Sequence, residues 1–342
     1  MAQLQTTAIT GSLSITGSVL TLPSFTNAQT GSLLTTAGQW WFNSTTNKLN
    51  YTIIAAPAPG AWSAGGALAT ARYALGGTGT QNEALAFGGY IQNFGNRQSC
   101  TEEYNGTSWS GGGALITARY GLAGAGTQNA GLAIAGAQGF GTCTEEYNGA
   151  SWATGGTLIT DRFFLAGVGT QNEALAFGGQ NPSCVACTEE YNGTAWSVGG
   201  VMIAARQCLA GAGTQNAGLG FGGNSPANSR CTEEYDGTSW SAGGAMINCA
   251  GSPGGAGTQN EAVGFGGRCC FTGGPTTSTE LYNGTSWSTG NPLITARFSL
   301  GAAGTQSAGL AFGGQNNPTG VVALSCTEEF TAVTGGVGVC SL

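Results

Sequence analysis

The side chains best suited to chemistry recur in pairs. Glu102-Glu103, Glu145-Glu146, Glu189-Glu190, Glu233-Glu234 and Glu328-Glu329 each set two carboxylates side by side, the residue type that glycoside hydrolysis uses as acid and as nucleophile. Neighbours in a strand point to opposite faces, however, and a catalytic pair is needed once, whereas this one comes back in copy after copy. A structural task is therefore expected, with a repeated arginine holding one carboxylate of each pair in a partly buried ion pair. The chain has no histidine at all, which removes Ser-His-Asp and Cys-His catalysis and most transition-metal centres. No catalytic residue, cofactor or metal is expected.

The elements that carry these residues form a repeat. Its reference copy, residues 162–205, begins RFFLAGVGTQNEALAFGG and ends CTEEYNGTAWSVGGVMIAA. The first glycine of the GTQN core returns at Gly79, Gly126, Gly169, Gly213, Gly257 and Gly304, a period in the range of repeat architectures. Within a copy, FFLAGVGT and ALAFGG are two short apolar strands joined by a polar turn. CTEEY alternates as a third strand, Asn192-Gly193 signals a hairpin, and AWSVGG follows as the fourth. Four antiparallel strands per unit is the pattern of a propeller blade.

These residues resemble the kelch repeat: an arginine before the first strand, a diglycine closing the second, then a tyrosine and a tryptophan bracketing a turn. Arg162, Gly178-Gly179, Tyr191 and Trp196 show all four marks; copy two has Ala135-Gly136 for the diglycine, copy five has Ala250 for the arginine, and the last copy ends at Phe330 without a tryptophan. The resemblance covers about residues 60–330. It implies an all-β fold, a six-bladed kelch-like β-propeller, and leaves function open, because such propellers serve unrelated tasks. The absence of histidine excludes the copper chemistry of galactose oxidase, a kelch-like enzyme. The repeated YNGTSW departs from the Asp-box of sialidase propellers, since Tyr104 and its counterparts stand where that motif needs aspartate.

Sixty-three glycines without a G-X-Y period exclude collagen, and the recurrent apolar strands exclude a disordered chain. With a net charge of -7 and Lys48 as the only lysine, no basic field exists for nucleic acid. No apolar run is long enough for a membrane-spanning helix, and MAQLQTTAIT lacks the regions of a secretory signal, so a soluble chain without Sec export and without membrane insertion is expected.

Residues 1–55 are read as a small β-rich N-terminal segment for anchoring and oligomerisation, and residues 56–342 as the propeller. GQWWFNSTTNKLNYTI has a hairpin pattern and is similar to a short module of tail-fibre and other virion proteins of tailed bacteriophages. After the prolines of AAPAPG, the strand around Trp62 has the sequence of a fourth strand without the three that should precede it. The last copy has three strands and no fourth. Pairing Trp62 with the strand at Glu328 would complete blade six from both chain ends and cover its edge; the alternative is a fourth strand from Ala332 to Val339.

Cys100, Cys143, Cys187, Cys231 and Cys326 share one column at the start of the third strand, too far apart around a ring to bond one another. They are read either as small buried residues or, in two cases, as disulfide partners: Cys187 (or Cys184) with Cys208, and Cys231 with Cys249. Cys184 and Cys187 have zinc-ligand spacing, but no second such pair exists to complete a site. Asn105, Asn192 and Asn283 lie in glycosylation sequons that the Asn-Gly turn already explains.

Recognition is expected where the copies differ, in the loops between diglycine and third strand. Tyr90, Phe94, Arg97, Phe140 and Phe271 are the exposed aromatic and cationic candidates there, suited to sugar rings or a protein partner. Together these features point to a non-enzymatic virion structural protein, a tail-fibre, receptor-binding or capsid-decorating subunit. It would assemble with other virion proteins through its N-terminal segment and as a homo-oligomer, would meet a host-surface glycan or protein, and would not bind nucleic acid. The alternatives are a bacterial extracellular adhesive or fibre subunit, at the cell surface or secreted, and a carbohydrate-active enzyme.

Overall fold

Small residues at the centre and aromatic residues farther out decide how each copy packs. The computed structural model describes residues 60–332, apart from 92–95, 138, 140, 226–228, 270–272 and 318–321, together with the strand segments 24–25, 40–43, 48–54 and 337–341. Six four-stranded antiparallel sheets make a six-bladed β-propeller. In blade three the strands are Ala166–Gly169, Ala174–Phe177, Thr188–Tyr191 and Trp196–Val198, from the inside outward. Each innermost strand packs against the next, and the sixth packs against the first. The crowding explains their AGAG-like composition: a Cβ on Gly124 would strike the carbonyl oxygen of Gly77 in the neighbouring blade.

Blade six is completed from both ends of the repeat region. Its strands are Gly301–Gly304, Ala308–Phe312, Thr327–Thr331 and, outermost, Ala61–Gly65, with Trp62 opposite Phe330. Trp62 seals the closure by donating its indole N–H to Thr279 Oγ1 at 3.0 Å and by packing on Phe265 and Phe330 at 4.9 and 5.2 Å.

With that edge occupied, the C-terminal tail pairs elsewhere. Val337–Ser341 lies antiparallel to Lys48–Ile54, which forms a hairpin with Trp40–Asn43, and Ser24–Phe25 runs parallel to Trp40–Asn43. The chain thus divides into a first unit of residues 1–58 and 334–342 and a propeller of 59–333. The propeller is narrower than the range 56–342 expected from sequence, and it is an insertion between two adjacent strands of one small sheet.

Candidate functional site

The paired glutamates are committed to holding blades together. The first of each pair is buried: Oε1 of Glu145 lies 2.7 Å from Arg119 Nη1, and its Oε2 accepts the Ile116 N–H at 2.7 Å. Arg72–Glu102, Arg162–Glu189 and Arg206–Glu233 repeat the contact at 3.1, 3.3 and 2.7 Å, and Arg297 bonds Glu328 likewise. All five arginines are buried, and burial pulls the Arg72 and Arg162 guanidinium groups below their ordinary value despite the neighbouring carboxylate.

The second glutamate reaches across to the following blade. Tyr147, Tyr191, Tyr235 and Tyr282 donate their hydroxyls to Glu103, Glu146, Glu190 and Glu234, each at 2.5 Å, and Tyr104 donates to Glu329. Burial first, and the carboxylate acceptor second, push these phenols up to about 12. Each blade's tryptophan adds a bond from its indole N–H to the threonine before the glutamates of the preceding blade, as Trp196 does to Thr144 at 3.1 Å. Gln171 and its counterparts cap the preceding blade's backbone; Gln171 Nε2 donates to the carbonyls of Gly131 and Tyr147 at 3.1 and 2.7 Å.

What the repeat leaves variable collects at one end of the central channel. Two residues beyond each repeat arginine the backbone turns left-handed, with φ between 51° and 65° at Ala74, Gly121, Phe164, Cys208, Ser252 and Ser299. Each of these residues donates its N–H to the carbonyl of its counterpart in the preceding blade, so that six bonds of 2.7–3.0 Å close a ring. A bulky side chain at positive φ is strained, and Phe164 carries one. Its ring lies over Gly121, where a Cβ would come within 2.9 Å of it, which is why the counterpart in blade two is glycine. The ring residues and the leucines or proline after them line an open cavity of about 80 Å³.

Beside this cavity, aromatic side chains form a continuous arc over blades one to three. Ring centroids are 5.6 Å apart for Tyr73–Tyr90, 4.8 Å for Tyr90–Tyr120, 6.1 Å for Tyr120–Phe164 and 5.2 Å for Phe163–Phe164. Tyr73, Tyr120, Phe163 and Phe164 are partly exposed. Burial pushes the Tyr73 phenol up, and the nearby Tyr90 and Tyr120 hydroxyls add to this. Gln180 pairs with Phe163 at the end of the arc; in later blades the same columns carry Gln207, Asn224 and the buried Gln315, and Arg268 lies 5.2 Å over the Phe298 ring. Planar rings with amides in the same columns suit the apolar faces and hydroxyl edges of a sugar.

Of the residues expected in the binding loops, Tyr90 is corrected: it is buried, its backbone bridges Tyr73 and Arg97, and its ring is enclosed by Tyr73 and Tyr120. Arg97 is partly exposed, and Phe94, Phe140 and Phe271 lie outside the described residues. The disulfide candidates are also corrected. Cys187, Cys208 and Cys231 are free thiols, whereas Cys249 is disulfide-bonded to a partner other than Cys231. The thiols of Cys100, Cys143, Cys187 and Cys326 are held beside the repeat arginine instead, with Cys143 Sγ 2.8 Å from Arg119 Nη1. Burial pushes the Cys208 thiol up to about 11. Among the described residues, no group of three or more His, Cys, Asp or Glu is placed to hold a metal ion.

Sequence reasoning missed the mouth columns and an apolar rim. Ile116, Ile159, Ile203, Ile247 and Ile294 occupy one position in the connection after the outer strand, 42–63% exposed, while their N–H groups bind the buried glutamates. Their signal was present: one isoleucine recurs three places before the repeat-arginine position, outside any strand pattern. Comparison with protein-family models and with curated proteins finds no match. By its fold the protein is a six-bladed β-propeller.

Proposed function

We propose that this chain is a non-enzymatic virion structural protein whose kelch-like propeller is displayed for attachment to a host surface, as a tail-fibre, receptor-binding or capsid-decorating subunit. The first unit joins it to other virion proteins and to further copies of the chain. The observation that carries this reading is the division of labour in the propeller. The repeated glutamates, tyrosines and tryptophans are engaged between or within blades, while the aromatic arc and the amides of the same columns vary from blade to blade. Such a scaffold presents a surface rather than a reaction centre, and several copies would turn weak contacts into avidity. A glycan is the favoured target, since stacking rings and amides recognise it without a charged site.

Immunogold labelling with antibody against the propeller tests the assignment on particles and cells from the culture that expresses the chain. Label on tails or capsids is expected. Label confined to bacterial envelopes overturns the virion reading in favour of a cell-surface adhesive.

A further inference from the structure

Blade five lacks the repeat arginine, and Ala250 stands in its place. A cavity of about 130 Å³ is found there, and its wall includes Ala250, Asn248, Gly264, Gly266, Ser278 and Glu280. The other blades show what these groups do when a guanidinium is present. Arg119 and Arg206 bond the counterpart carboxylate at 2.7 Å. Arg72, Arg119 and Arg162 donate to the carbonyl at the position of Gly264, from Ala86, Ala133 and Ala176, at 3.3, 3.2 and 3.1 Å. Arg206 and Arg297 donate to the carbonyl at the position of Gly266, from Gly222 and Gly313, at 2.8 and 3.1 Å. Arg72, Arg206 and Arg297 donate to the carbonyl at the position of Ser278, from Cys100, Cys231 and Cys326, at 2.9, 3.0 and 2.8 Å. All four acceptor positions wall the blade-five cavity.

We infer that this cavity is a receptor for a guanidinium group, carried either by an arginine of a partner chain or by a small guanidine. Glu280 is buried in the one blade that lacks the repeat arginine, so its charge favours a cation, and the acceptors around it match a flat group with several donors. Among the described residues the exposed Asn248 side-chain amide stands in, donating Nδ2–H to Glu280 Oε1 at 3.1 Å beside its own backbone N–H at 2.8 Å, and an incoming guanidinium displaces the side-chain bond. Access is from the loop face, where Asn248 is exposed and Thr276 and Ser278 are partly exposed.

The test is thermal unfolding of the full chain in millimolar methylguanidinium chloride, against methylammonium and sodium chloride at equal ionic strength. A saturable rise in the midpoint with methylguanidinium alone is expected. Glu280→Gln should weaken the apparent affinity by about tenfold or more, because a charge-assisted bond becomes a neutral one. Ala250→Arg should abolish the response by filling the site from within; should it fail to fold, Glu280→Gln carries the test. A blocked Gly-Arg-Gly peptide giving the same rise identifies a partner's side chain as the natural class of ligand, and a response to methylguanidinium only identifies a small guanidine. No saturable rise, an equal rise with methylammonium, or an unchanged response in Glu280→Gln overturns the proposal.

Discussion

Two places in the propeller solve the same packing problem with opposite chemistry. At five of the six blade junctions a glutamate accepts a hydrogen bond from the next blade's tyrosine. Between blades five and six both partners are changed: Leu281 stands for the glutamate and Phe330 for the tyrosine, and they pack in one apolar cluster with Trp62 and Phe265. Replacing both members of a buried pair costs little, whereas removing one leaves a polar group without its partner. The arginine column is different, because blade five has lost only one member, and an exposed asparagine and a cavity remain beside the retained Glu280. The apolar junction is a finished substitution; the arginine gap is an open one.

The largest effect is expected from imposing the blade-five condition on an ordinary blade. Arg162→Ala would leave Glu189 buried without its counter-charge and should cost about 3–5 kcal/mol in denaturant unfolding. A loss under about 1 kcal/mol would mean that the backbone N–H groups of Ile159 and Thr160, at 2.7 and 3.1 Å, satisfy the carboxylate by themselves.

Much of this comparison was legible in the sequence, because a repeat writes the same instruction several times. The arginine–glutamate pairing and the closure by Trp62 followed from columns and from a missing strand, and both contacts are present. The mouth was less legible. Phe164 looks like an ordinary strand residue until the left-handed ring places it in the cavity wall, and a positive φ on a phenylalanine has no sequence signal. Tyr90 was misjudged for the converse reason, since the first residue of each variable loop still pairs with the residue after the repeat arginine. The C-terminal tail was included in the propeller range, with a fourth strand from Ala332 to Val339 only as the alternative to Trp62; with the edge of blade six taken by Ala61–Gly65, Val337–Ser341 pairs with Lys48–Ile54 instead.

A smaller effect sharpens the junction comparison. Glu190→Leu should cost about 1–3 kcal/mol, because the buried Tyr235 hydroxyl loses its acceptor while still receiving the Gly200 N–H at 3.2 Å. Adding Tyr235→Phe should return part of that loss and reproduce the Leu281–Phe330 solution in a second place. The measurement is a double-mutant cycle from denaturant midpoints. Strict additivity of the two substitutions would contradict the pairing argument.

The smallest effect runs in the opposite direction, converting the apolar junction into a polar one by Leu281→Glu with Phe330→Tyr. In the wild type, burial and the carboxylate acceptor push the phenols of Tyr104, Tyr147, Tyr191, Tyr235 and Tyr282 up to about 12, above the ordinary value near 10. Below pH 10 both states keep these protons and the contribution to stability is complete. Between about 10 and 12 the unfolded chain releases protons that the folded chain retains, so stability falls as pH rises and is lost through 12. A sixth tyrosine–glutamate pair should leave stability near neutral pH almost unchanged and steepen the alkaline decline by about one proton. Denaturant unfolding at a series of pH values, with tyrosinate absorbance followed in parallel, reads the change. An unaltered slope in the double variant would show that the new tyrosine is not held as its five counterparts are, and that the apolar junction has a geometry of its own rather than an exchanged pair.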